Sequence, residues 1–445
     1  MTSSTPIRRA AVGITAAAAL ALPLAAAPDR DAVASPATTP VVGAAAWADD
    51  PTALSRAVLQ AAQHAAPGPA TLGAARTPAP QAQARPAADP AGLDAALRTL
   101  VDDGAVAVTA RIETPTLVWS DAEGLRHLDR RQPARDHDRF RIASITKPMI
   151  ATIVMQEVER GTWTLDTRVE DVLPGLIPGQ PDVTLEHLLS HRSGMPTGTD
   201  VMVATRMVDL GSWDEFVAAL DHDYTDVDHV SAALATPWHF PPGTGFSYSN
   251  AGYVVLGMLL EEVTGRDLDR LLRDRVFRPA GMPRSDYPDD AQSRGPFLAE
   301  AAYLGAQGTG GTPWARLDRF DPDVFGAAGA ATSTTKDMLA FTDALLTGRL
   351  TRPETVASMM APRSTDLLEY GLGVYRVPDP CAPPEAPAYL YGHDGGSYGT
   401  VSFALSSPDG SRSFSLAVTG RSLVGDAEAP YDLNALLVPM LLATC

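Results

Sequence analysis

Apolar residues at Leu93, Ala96, Leu97 and Leu100 recur at helical spacing and the run closes on Gly104, which predicts a helix at the start of the folded chain, near Gly92. The stretch that follows, AVAVTARIETPTLVWSDAEG, alternates apolar and polar positions around turn residues, as strands do. From Ser144 to about Thr347 the pattern becomes mainly helical, broken by Gly- and Pro-rich loops. Alternation returns at YGLGVYRV, APAYLYGHDGG, TVSFALSS and SFSLAVTG, with Pro408-Asp409-Gly410 between the last two as in a β-hairpin, and a helical pattern from Asp432 closes the chain. Strands from both chain ends are therefore expected to share one antiparallel sheet with flanking helices, and a mainly helical lobe is inserted between them. The expected architecture is α/β (α+β), with a cleft where the two lobes meet.

The N-terminus does not belong to that pattern. MTSSTPIRRAAVGITAAAALALPLAAAP has two arginines, an apolar run from Ala10 to Leu24 and small residues at 25–27, so residues 1–27 read as a secretory signal peptide and the protein as secreted. Residues 28–91 are dominated by Ala, Pro and small polar residues and read as a linker or pro-region, within which 51–68 has the spacing of a short helix. That leaves 92–445 as the folded domain. No later apolar run reaches membrane-spanning length. A formal net charge of −18 argues against nucleic acid or an anionic membrane surface as partner. In an exported chain the two cysteines, Cys381 and Cys445, are expected to pair rather than to carry catalysis.

Candidate chemistry starts from a false lead. Residues 395–399, GGSYG, match the G-x-S-x-G nucleophile elbow, but a hairpin pattern follows instead of a helix and no histidine lies beyond His393. Ser397 is therefore not expected to be the nucleophile. The lysines are more informative. Of 35 basic side chains only Lys147 and Lys336 are lysines. Arginine stays protonated in proteins, whereas a buried lysine can lose its proton, so a retained lysine marks a place where that loss is useful. Lys336 stands in the first turn of an expected helix and reads as solvated surface. Lys147 follows Ser144 by three residues in RFRIASITKPM, which puts amine and hydroxyl on one helix face, where the amine can activate the serine. The helix start adds backbone N–H groups for developing negative charge. Tyr248 and Asn250 meet at a loop-to-helix junction, placed to relay a proton and to bind a substrate amide. His393, Gly395 and Gly396 edge a strand where a ligand can approach the backbone closely.

In this order and spacing, Ser-x-x-Lys, Tyr-x-Asn and His-x-Gly resemble the serine β-lactamase and penicillin-binding family. The resemblance is to its class C-like branch of secreted D-alanyl-D-alanine carboxypeptidases. It extends to LLSHRSGM, YSNAGYVVLGMLLEEVTG and YGLGV, and to the placing of the two cysteines. It implies a β-lactamase/transpeptidase-like fold and an acyl-serine reaction without cofactor. Ser144 would be the nucleophile, Lys147 its base, Tyr248 the proton relay and Asn250 a substrate ligand. His393 would support Tyr248, and the N–H groups of Ser144 and Gly396 would form the oxyanion hole. Implied partners are a peptidoglycan-like peptide, an amide or ester substrate, and β-lactams.

The sequence departs from that branch where the substrate's free carboxylate docks. Asp394, Gly395 and Gly396 replace a Thr-Gly-Thr pattern, and Tyr375 takes the place of an arginine, with Arg376 one step along on the opposite strand face. An aspartate there repels a carboxylate. The leading expectation is thus a D-alanyl-D-alanine carboxypeptidase-like enzyme or a related D-peptide or amide hydrolase. A carboxylesterase of the same fold and a non-catalytic penicillin-binding cell-wall sensor are the alternatives.

Other patterns carry less. His187 and His191 are four apart, as a zinc pair would be, but lack an acidic base and a third ligand, and read as a polar helix end. DHDYTDVDH lacks the Gly and closing Glu of a calcium loop and reads as a solvated loop. LGAQGTGGTPW breaks at Pro313 and reads as a loop near the cleft.

Overall fold

The computed structural model describes residue 61 and residues 89–291, 295–303, 314–317, 319–364, 368–383, 385–422 and 431–445. The expected signal peptide, most of the linker and the Gly-rich stretch 304–313 lie outside the described residues; Ala61, within the helix expected over 51–68, is helical and buried. Helix α1 (Pro90–Asp102) opens with Pro90, where a missing N–H costs nothing, and buries Leu93, Leu97 and Leu100.

Strands β1 (Ala107–Glu113), β2 (Val118–His127) and β3 (Arg130–Pro133) follow α1, and β4 (Glu369–Tyr370), β5 (Tyr375–Pro378), β6 (Tyr389–Gly396), β7 (Thr400–Ser406) and β8 (Ser413–Thr419) come from the C-terminal part. They form one antiparallel sheet in the order β3-β2-β1-β8-β7-β6-β5-β4. Its two halves join where β1 pairs with β8, from Ala107 opposite Thr419 to Glu113 opposite Ser413. The sheet built from both chain ends is thus present.

Alternation gives the sheet two unlike faces. On one, Val108, Ile112, Phe403, Leu405, Phe414, Leu416 and Val418 pack with Leu97 of α1 and with Leu437, Met440 and Leu441 of the C-terminal helix Asn434–Ala443. On the other, Thr109, Ser402, Ala404, Ser415 and Ala417 are buried but small. The inserted region covers this face: α4 (Thr335–Leu346) lies on β7, β8 and β1, and the turn leading into α2 (Thr146–Glu159) lies on β6 and β7, with α3 (Asn250–Thr264) packed against α2. Small side chains let them come close. Ser415 Oγ donates to the Thr335 carbonyl of α4 at 2.8 Å, and Ser402 Oγ donates to the Ile142 carbonyl just before Ser144 at 3.1 Å. Helix α2 is buried without a break from Thr146 to Met155, as a central helix must be. Lys336 is exposed, as expected.

One expectation fails in the inserted region. Residues 226–234 are a helix, not a solvated loop: Thr225 caps it, accepting from the Asp228 N–H, while the Asp228 carboxylate accepts from the Thr225 N–H at 2.8 Å. Asp226 faces inward and is pushed up to about 6 by burial, and the His229 Nε2 lies 2.7 Å from the Asp323 carbonyl. Burial, with Asp321, Asp223, Asp226 and Asp289 nearby, pushes Asp323 up to about 7. A carboxyl raised in the folded state favours folding below its unfolded pKa and loses that advantage as pH rises through the folded value. Replacing Asp323 by Asn is therefore expected to raise the melting temperature at about pH 8.5 and to leave it nearly unchanged at about pH 4, read by thermal unfolding at both.

Cys381 and Cys445 form a disulfide across 64 residues, tying the chain end to the segment before β6. By loop entropy, reduction is expected to lower stability by about 4 kcal/mol, measurable as a shift of the urea midpoint with and without a reductant.

Candidate active site

Strand pair Phe140–Arg141 with Thr332–Ser333 delivers the chain to a 3-10 turn, Ala143–Ile145, that runs directly into α2. Ala143 has φ 46°, a left-handed conformation unfavourable for a residue with a Cβ, so the turn that presents Ser144 is strained. The strain is held from the sheet side. Gly395 on β6 comes so near that an added Cβ would lie 2.0 Å from the Ile142 carbonyl. No side chain fits at 395, and the strand edge therefore abuts the turn that carries Ser144.

Lys147, fully buried, lies one turn on. Its Nζ is 2.9 Å from Ser144 Oγ, 2.8 Å from Asn250 Oδ1 and 2.9 Å from the Ala328 carbonyl. The asparagine orientation follows from its other end, since Nδ2 donates to Thr199 Oγ1 at 3.1 Å. Two of the three neighbours can only accept, so a neutral amine gives them its two N–H groups and turns its lone pair toward the serine O–H. Burial holds the Lys147 amine well below the ordinary lysine value, against a smaller opposing pull from Asp394. The Ala328 carbonyl reaches Lys147 because Gly257 of α3 lets the turn Gly326–Ala328 pack tightly; a Cβ there would sit 2.7 Å from Ala327 Cβ.

Tyr248 stands just before α3, whose N-cap Ser249 accepts from the Gly252 N–H at 3.1 Å and donates to the Pro196 carbonyl. The phenol is near enough to Ser144 for the serine to oppose part of its shift, and its ring lies under the lysine, 4.7 Å from Nζ to the centroid. Burial and the Asp394 charge push Tyr248 well above the ordinary phenol value, so it holds its proton. Ser144, Lys147, Tyr248 and Asn250 are thus brought together.

His393 is also here, but its hydrogen bonds go elsewhere than expected. Its Nε2 is 3.0 Å from the Tyr370 hydroxyl and its Nδ1 contacts the Asp394 carbonyl, while its ring centre is 6.2 Å from that of Tyr248. Burial lowers His393 to about 4, so the ring is neutral. Tyr370 was missed from sequence, as was His191. The latter is buried, not a polar helix end: its ring centre is 4.0 Å from that of Tyr248, and its Nδ1 accepts from the Ser249 N–H at 3.1 Å. His187 instead caps the helix Leu185–Leu189 with Thr184, so the two histidines do not act as a pair. Ser397 is buried in the β6–β7 turn, and a strand follows it.

Strand β6 is interior by sheet order yet edge-like at the site, because β5 pairs with it only from Tyr389 to Gly392. The Ser397 N–H donates to the Thr400 carbonyl at 2.9 Å, which fixes the ladder phase and turns the Gly396 N–H away from β7, toward the open edge. Ser144, Asn250 and Gly396 keep partial exposure, whereas Lys147, Tyr248, His393, Asp394 and Gly395 are buried. Arg376 is committed: it pairs with Glu369 at 2.7 Å and its guanidinium lies 3.7 Å from the Tyr389 ring centre. Tyr375 is buried beside His393, with ring centres 5.5 Å apart.

Residues 93–437 match the family model described as Beta-lactamase. The chain belongs to the beta-lactamase family. Among its relatives, Penicillin-binding protein 4 of Amycolatopsis lactamdurans is 34% identical over 207 residues, 45% of this chain and 49% of that protein. Esterase EstB of Burkholderia gladioli is 35% identical over 195 residues, 42% of this chain and 48% of that one. The chain thus spans about half the length of these relatives. Among solved structures, the D-stereospecific amidohydrolase from Streptomyces sp. superposes with a TM-score of 0.64 at 27% identity, covering 75% of this chain and 94% of that one.

Proposed function

We propose that this beta-lactamase family member is a secreted serine hydrolase that acts through an acyl-Ser144 intermediate on a D-peptide or amide lacking a free carboxylate at the scissile end. The observation that carries this reading is the Lys147 amine, buried, held by two carbonyl oxygens and within 2.9 Å of Ser144 Oγ. In the reaction, the Ser144 oxygen attacks the substrate carbonyl as its proton passes to Lys147. The tetrahedral oxyanion sits between the N–H groups of Ser144 and Gly396. Tyr248 gives its proton to the departing amine and is reprotonated by Lys147, so that the C–N bond breaks to leave the acyl-serine beside a neutral lysine; Lys147 then takes a proton from the water that hydrolyses the ester. Asn250 and the open edge of β6 bind the substrate backbone, and the neutral His393, through Tyr370, supports the wall of the site.

Asp394 supports the substrate choice, since its charge reaches Lys147, Tyr248 and His393 from the place where a carboxylate would dock. Arg376 is already paired, and Tyr375 carries no charge to replace it. The amide preference is in keeping with the D-stereospecific amidohydrolase, and Esterase EstB keeps an ester reading open. The signal-like residues 1–27 and the Cys381–Cys445 disulfide support secretion.

The test incubates the protein with a fluorescent penicillin, a D-amino acid amide, a D-Ala-D-Ala peptide and a nitrophenyl ester, and maps the labelled residue by mass spectrometry. The expected result is an adduct on Ser144 that is absent from Ser144→Ala, with the amide turned over faster than the peptide bearing a free carboxylate. No adduct and no turnover with any of the four overturns the hydrolase reading. A lasting penicillin adduct without turnover replaces it with the sensor.

A further inference from the structure

The proposed oxyanion donor, the Gly396 N–H, has no side chain of its own to hold it and lies on the unpaired edge of β6. What fixes it must come from the turn immediately after, residues 397–400. That turn is held at every residue. Ser397 is 1% exposed; its hydroxyl oxygen accepts from the Thr400 N–H at 3.1 Å, which leaves its proton for the Glu300 carboxylate, with which it is in contact. The Ser397 carbonyl accepts from Arg421 Nη1 at 3.1 Å. Tyr398 donates its hydroxyl to Asp200 at 3.0 Å and stacks on Phe325. The Gly399 carbonyl accepts from the Gly420 N–H at 2.9 Å. Gly399 also presses against residue 300, where an added Cβ would lie 2.6 Å from Glu300 Cβ.

Glu300 is an unusual anchor. It is 2% exposed, one of its oxygens has no hydrogen-bond partner among the described residues, and its own carbonyl is held by the Leu317 N–H at 3.0 Å. Buried Arg141 and half-buried Arg421 lie close enough to oppose the cost of burying its charge. Burying a carboxyl group here is costly, and what it supplies in return is an acceptor for the Ser397 hydroxyl.

We infer that Ser397 and Glu300 are positioning residues of the reaction: their hydroxyl–carboxylate contact behind the β6–β7 turn sets the Gly396 N–H where the oxyanion on Ser144 requires it. The inference rests on the acyl-serine reading above. It also returns a role to the serine of the elbow-like GGSYG, behind the oxyanion hole instead of in attack. A donor displaced by about 1 Å loses most of its value, and losing one donor costs about a hundredfold or more in rate.

Ser397→Ala is therefore expected to lower kcat for an amide or ester about ten- to a hundredfold with KM within about twofold, because the ground state uses the donor less than the transition state does. The affinity for a peptide-like boronic acid, which places an oxygen in the same hole on Ser144, should fall by the same factor. Glu300→Ala should match it, and Glu300→Gln, whose amide oxygen still accepts from Ser397, should recover most of the loss. Parent-like kcat and boronate affinity in Ser397→Ala overturns the inference. So does a fall in kcat with no fall in boronate affinity, or a Glu300→Gln variant as damaged as Glu300→Ala. Failure of the underlying reading looks different: the parent itself would show neither turnover nor a Ser144 adduct.

Discussion

Replacing Lys147 by methionine is expected to lower kcat/KM for an amide substrate by about a thousandfold, within the range that a general base contributes. Methionine keeps length and apolar stem but has no nitrogen to take the serine proton. The loss should exceed any effect of packing, because the buried amine is an expense to the fold. Folded, the site holds Lys147 well below the ordinary lysine value through burial. An amine lowered in this way contributes stability only where it is already neutral in the unfolded chain, and costs stability as pH falls below that range. At neutral pH the methionine variant should accordingly melt no lower than the parent. The parent's kcat/KM should rise with pH along a limb that reports deprotonation of Lys147, and that limb should vanish in the variant. A Lys147→Met enzyme that keeps more than a tenth of parent kcat/KM would remove the lysine from the base role.

Tyr248→Phe separates the base from the proton relay. Departure of an amine needs a proton, whereas a nitrophenolate leaves without one. If Tyr248 supplies that proton, its loss should lower kcat for the amide by about a hundred- to a thousandfold and for the nitrophenyl ester less than tenfold. An equal fall for both substrates would instead make Tyr248 the group that activates Ser144. The structure favours the relay, since burial and the Asp394 charge keep the phenol protonated while burial makes the nearby amine the better base.

The parts of the site that were legible in the sequence are those whose spacing is local. Ser144, in the 3-10 turn, and Lys147, in the first turn of α2, meet because they are three apart, and Asn250 stands at a helix start announced by Ser249. Sheet strands were legible because their alternation is long and clean on β7 and β8. What could not be read is whatever depends on a distant backbone atom. The Ala328 carbonyl that holds Lys147 is 181 residues away and leaves no trace in side-chain pattern. Tyr370 and His191 look like any core aromatic and helix-end histidine until the fold stacks them around Tyr248, with His191 and Tyr370 ring centres 4.8 Å apart. The open edge of β6 depends on how far β5 extends beside it, which alternation does not encode. The helix at 226–234 is readable from its Thr-x-x-Asp capping box, a signal that the density of acidic residues, which reads as a solvated loop, outweighs.

The pairing of β1 with β8 has a consequence for when the protein can act at all. Synthesis proceeds from the N-terminus, and here the nucleophile and its lysine emerge some 250 residues before the glycine edge they face. A chain ending between Lys147 and β6 has Ser144 and Lys147 but lacks the strand that faces them, and β1 has no neighbour on its β8 side. On the proposed mechanism, reactivity is thus withheld from partial products by topology, and the last strands made close the sheet and complete the site together.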